Sequence, residues 1–75
     1  MEYVVDTIEL RKAMLDSGIV TIQDFVKASG VSDVTLGGIL SGKIRPSTGV
    51  IEKIAKTLSL DGDDIARIFF KQKLA

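Results

Sequence analysis

Thr21-Ile22-Gln23-Asp24-Phe25-Val26-Lys27-Ala28-Ser29-Gly30-Val31-Ser32-Asp33-Val34-Thr35-Leu36-Gly37-Gly38-Ile39-Leu40-Ser41-Gly42 is the stretch that decides the fold. Thr21 is a favoured N-cap, and Asp24 three residues on resembles a capping box, with Asp shorter than the preferred Glu. Gly30 stops that helix, because helix ends commonly need a left-handed residue. Ser32 opens the next helix as N-cap, with Val31 packing down beside it, and Gly42 ends it. The spacing therefore predicts two short helices around a tight glycine turn, followed at once by Lys43-Ile44-Arg45-Pro46-Ser47.

That outline is a helix-turn-helix over about 21–42, and a single domain spans 1–75. Upstream, Asp6 or Thr7 starts a helix whose apolar face is Leu10, Ala13 and Met14, widened by Ile8 and Leu15. Glu9, Lys12 and Asp16 point to water, and Gly18 closes this helix. Downstream, Val50, Ile51, Ile54, Ala55 and Leu58 form the clearest amphipathic stripe. A fifth helix is capped by Asp61 or Asp63, buries Ile65, Ile68 and Phe69, and places Lys71 and Lys73 near its C-terminal end. Tyr3-Val4-Val5 is the one candidate for a short extended arm. The fold class is all-α: a five-helix bundle with no sheet core. Its core is Leu10, Met14, Phe25, Val26, Val31, Leu36, Ile39, Val50, Ile54, Leu58, Ile65 and Phe69.

Composition narrows the functions. Seventy-five residues with no Cys and no His leave no disulfide and no ordinary zinc site. Catalytic and cofactor-binding residues are also unassigned, because no nucleophile–base pair and no phosphate loop is present. The carboxylates of Asp61, Asp63 and Asp64 read as helix capping, since Ca²⁺-loop spacing and the terminal Glu are missing. The N-terminus lacks the basic and apolar regions of a signal peptide. Ten basic residues cancel ten acidic ones, so net charge gives no argument for nucleic-acid binding.

Residues from about Leu10 to Leu60 resemble the phage repressor/Cro-type helix-turn-helix family, also called the XRE family. The resemblance rests on Thr21, Val26 at a position where the family usually has Ala, Gly30-Val31-Ser32, Leu36, Ile39 and Gly42-Lys43-Ile44-Arg45-Pro46-Ser47. Ile54-Ala55-Lys56-Thr57-Leu58-Ser59-Leu60 matches the family's fourth-helix ending. The resemblance implies a repressor-like bundle, a regulatory role in the bacterial cytoplasm, and frequent dimerisation through the last helix. Phe70 and Leu74 are then either tail residues or part of a dimer contact.

The departures fall on the reading face. In this family the first residues of helix 3, and one a turn later, reach base edges. Here they are Asp33, Val34, Gly37 and Gly38. Pairing to guanine takes Arg or Lys, and to adenine Asn or Gln. Val34 suits only a thymine methyl, and Thr35 is the one hydrogen-bonding candidate. The Gln that often opens helix 2 and holds a phosphate is matched by Ile22. Lys43, Arg45 and Lys27 remain as phosphate contacts, or are merely solvated charges. Gly37 and Gly38 each cost about 1 kcal/mol of helix propensity against Ala. They reflect either drift or a bare backbone that lets a partner approach.

Two functions compete. One is a Cro-type repressor reading operator DNA as a homodimer. The other is a modulator of repression that binds the lysogeny repressor of a temperate phage and binds DNA weakly alone. Its face would comprise Ile22, Asp33, Val34, Gly37, Gly38 and Leu40, with Lys43 and Arg45 left for phosphate. The donor-poor reading face favours the second.

Overall fold

In the computed structural model, which describes residues 2–73, every helix opens on an oxygen-bearing side chain. The elements are β1 (Tyr3–Val4), α1 (Thr7–Asp16), α2 (Ile22–Ser29), α3 (Asp33–Leu40), α4 (Thr48–Leu58), α5 (Gly62–Phe69) and β2 (Lys71–Gln72). Asp6, Thr21, Ser32, Ser47 and Asp61 accept the N–H three residues ahead, at 2.8–3.3 Å. Each such cap stabilises its helix by about 1 kcal/mol. Asp61 and Asp64 complete a reciprocal capping box, so Asp61, not Asp63, is the cap of α5. At α2, Asp24 contributes only its backbone N–H to the Thr21 hydroxyl. The chain leaves α2 through Gly30 at φ +74°, a left-handed turn that a Cβ would strain.

The helices enclose one core of Leu10, Met14, Ile19, Phe25, Val31, Leu36, Ile39, Leu40, Ile54, Leu58, Ile68 and Phe69. Val26, Val50 and Ile65 pack against its edge and are half-buried, where full burial was expected. Ile19, read as connector, and Leu40, which as a lone apolar residue could have been either minor core or surface, also join the core. Ile8 and Leu15, expected to widen the buried face of α1, are instead 66% and 60% exposed. At about 100° per residue they lie roughly 150° around the helix from Leu10, on its far side. Glu9 is half-buried, not free in water, and accepts from Arg67, which also donates to Asp64 at 2.8 Å.

The ends of the chain depart from the all-helical expectation. Lys71 and Lys73 do not extend α5. The helix stops at Phe69, and β2 pairs antiparallel with β1 in the register Tyr3↔Gln72 and Val4↔Lys71. The extended arm expected at Tyr3-Val4-Val5 supplies the partner strand. Lys73 N–H donates to the Glu2 carbonyl at 3.0 Å, and Asp6 N–H to the Ile68 carbonyl at 2.6 Å. Lys71 and Lys73 reach Asp6 and Glu2 in ion pairs at 3.3 Å each. The ribbon lies beside the helical core and takes no part in it.

Candidate nucleic-acid or partner interface

Helix α3 has two unlike sides. Leu36, Ile39 and Leu40 follow the i, i+3, i+4 spacing of a single face and are 0–4% exposed. Leu40, expected at the outer contact, is therefore a core residue and drops out of the face. Its carbonyl accepts from Arg11 Nη2 at 3.2 Å. The outer side carries Asp33 and Val34, both exposed, and half-buried Gly37. Val34 is 75% exposed, the highest value among the large apolar side chains.

The polar groups of this turn are occupied with the helix's own start. The Asp33 carboxylate accepts from the Val34 N–H at 2.8 Å. The Ser32 hydroxyl donates to the Thr35 hydroxyl at 2.9 Å and accepts from the Thr35 N–H. Thr35, the one hydrogen-bonding candidate for a base edge, is half-buried, and its hydroxyl accepts from Ser32 while its own O–H has no acceptor among the described residues. What α3 presents outward is an isopropyl group, a carboxylate and bare backbone.

The two adjacent glycines have different reasons. A Cβ on Gly37 would meet nothing within 4 Å. A Cβ on Gly38 would lie 2.5 Å from Ile44 Cγ1 and 3.1 Å from Ile44 Cβ, closer than side chains pack. The loop after α3 folds back on this spot. The Gly38 carbonyl accepts from Lys43 N–H at 2.9 Å, Ile44 N–H at 3.0 Å and the Ser41 hydroxyl at 3.0 Å. Gly38 makes room for Ile44 of its own chain, so the expectation that it admits a partner is withdrawn.

Ile22, at the first position of α2, is 38% exposed. Gln23 beside it is exposed and carries the amide donor that Ile22 lacks, a residue sequence reasoning passed over. Exposed polar character one position from the family's usual donor was the available signal. Lys27 and Lys43 are exposed and form no ion pair among the described residues. Arg45 is placed differently: its guanidinium donates to the Tyr3 carbonyl and sits 5.9 Å from the centre of the Tyr3 ring. Tyr3 in turn meets Phe70 edge-on, at 5.9 Å between ring centres and 81° between planes. Leu74, the other candidate for a dimer contact, lies outside the described residues.

Among the described residues no group of three or more His, Cys, Asp or Glu is arranged to hold a metal ion. Among the described residues no helix is long and apolar enough to cross a membrane.

The family model for the Cro/C1-type HTH DNA-binding domain matches residues 9–71, and the chain belongs to that family. It is a helix-turn-helix transcriptional regulator. Comparison with curated proteins and with solved structures gave no match.

Proposed function

We propose that this regulator acts mainly through a protein partner, seating its α2–α3 face on the DNA-binding domain of a repressor. The setting that fits is the lysis/lysogeny switch of a temperate phage, inside the host bacterium, with residues 1–75 working as one domain. The observation that carries the reading is the outer side of α3. Asp33 and Val34 stand where base-reading donors would stand, and the nearby hydroxyls serve the helix cap. A repressor's DNA-facing surface is basic, so the Asp33 carboxylate complements it, while Ile22, Val34 and the open backbone of Gly37 supply apolar contact. Occupying that surface would block operator DNA and relieve repression.

The test is calorimetric titration of a temperate-phage lysogeny repressor's DNA-binding domain with the parent protein and with Val34→Arg. Val34 touches nothing that the fold needs, so the variant keeps its melting temperature. An added cation facing a basic surface costs several kcal/mol, so binding should weaken by at least about tenfold. Unchanged affinity would move the interface elsewhere.

Direct operator reading by a homodimer is the second reading, favoured by the family match and by the exposed Gln23, Lys27 and Lys43. Tight, sequence-selective binding of the protein alone to operator DNA would establish it.

A further inference from the structure

Tyr3 joins three stretches that are far apart in the chain. Its backbone pairs with Gln72, its ring meets Phe70, and its carbonyl and ring together hold Arg45 of the α3–α4 loop. Lys27, Lys43 and Arg45 are the cations around the helix-turn-helix suited to phosphate. Of these, Arg45 is the one engaged by the chain itself. A guanidinium binds phosphate best through two parallel N–H donors. Here one donor is used by the Tyr3 carbonyl, and the aromatic ring attracts the cation from one side.

The hold is a light one. The ribbon has two residue pairs, and two-stranded ribbons are marginal by themselves. Its outermost ion pair, Lys73–Glu2, is 60% and 74% exposed and so contributes little. Tyr3 lies outside the family-matched stretch, which starts at residue 9.

We propose that the N-terminal arm is a latch: closed, it holds Arg45 back from nucleic-acid phosphate, and its opening adds one phosphate contact. This rests on the DNA binding expected of the family and is independent of the α2–α3 partner reading.

The experiment measures binding of the full-length protein to duplex DNA of arbitrary sequence by fluorescence anisotropy, from about 50 to about 200 mM salt, where phosphate contacts set the slope. Tyr3→Ala removes the ring that attracts Arg45 and packs on Phe70. It should steepen the slope of log K against log salt by about 0.9, a further loss of about threefold across that range. Tyr3→Phe keeps the ring and should retain the parent slope. Adding Arg45→Ala to Tyr3→Ala should return the slope to the parent value, while Arg45→Ala alone should leave it unchanged. If Tyr3→Ala loses helical content, Phe70→Ala loosens the arm from its other side and carries the same expectation. An unchanged or shallower slope in the loosened variant would overturn the latch, as would binding too weak to measure in every variant. So would a slope drop in Arg45→Ala alone, because Arg45 would then already be on phosphate with the arm closed.

Discussion

The outer side of α3 and the terminal ribbon use their polar groups in opposite ways. On α3, Ser32, Asp33 and Thr35 turn back onto the first turn of their own helix, leaving Val34 and Gly37 to face outward. At the ribbon, Asp6, Lys71, Glu2 and Lys73 reach across between the two ends of the chain, and Arg45 comes in from a third stretch. The side where the family is expected to carry base-reading residues presents Asp33, Val34 and Gly37 instead. The ribbon side, outside the conventional reading surface, holds several of the long-range polar contacts.

The contrast within α3 is the easiest to break. Leu36→Ala removes a side chain that is 0% exposed at the centre of the core, and such truncations cost about 2–5 kcal/mol. Val34→Ala, two residues away on the outside, should stay within about 0.5 kcal/mol of the parent. Thermal melts should therefore show a fall of many degrees for the first and almost none for the second. A small effect of Leu36→Ala would mean that the two sides of α3 are not distinct.

The glycine pair sharpens the same contrast. Gly38→Ala forces the new methyl against Ile44, and overpacking of this kind costs about 1–3 kcal/mol. Gly37→Ala meets open space and should gain up to about 1 kcal/mol from helix propensity. Opposite signs in urea denaturation are the expected outcome; equal signs would remove the internal reason for Gly38.

The smallest effect belongs to the ribbon and is read by pH. The Glu9 backbone N–H, and then Lys71, hold the Asp6 carboxyl below its ordinary value of 3.8. A depressed folded-state value contributes stability that is fully present above the unfolded value and is lost as pH falls through the folded one. The parent should therefore lose part of its stability below about pH 4. Asp6→Ala should be less stable near neutrality and show a shallower acid decline. An identical acid limb in both proteins would mean that neither the α1 cap nor the Lys71 pair at Asp6 contributes to stability.

What the sequence made legible follows from range. Caps act over three residues, so Thr21 and Ser32 could be read directly, and Asp6 and Asp61 to within a pair of candidates, whereas Ser47 was not read as a cap. The stripe of α4 and the inner residues Leu36 and Ile39 follow helical spacing alone. The ribbon was only half legible, because nothing local in Lys71-Gln72 says that Tyr3-Val4 lies alongside. The reason for Gly38 depends on a loop that returns six residues later with Ile44, and adjacent glycines read alone suggest surface rather than packing. Leu40 was misplaced because an apolar residue at the end of a short helix suits core and contact equally. At the site, residue types predicted the lack of donors, whereas the engagement of Thr35 and Arg45 by their own chain required the coordinates.

The most direct test of the central claim is a binding titration of the isolated full-length protein against its candidate operator and a scrambled duplex at physiological salt. With no Arg, Lys, Asn or Gln on α3, binding should be weak, nearly equal for the two sequences, and shallow in its salt dependence. Nanomolar affinity for the operator with clear discrimination against the scrambled duplex would contradict the account and make α3 a DNA-reading helix after all.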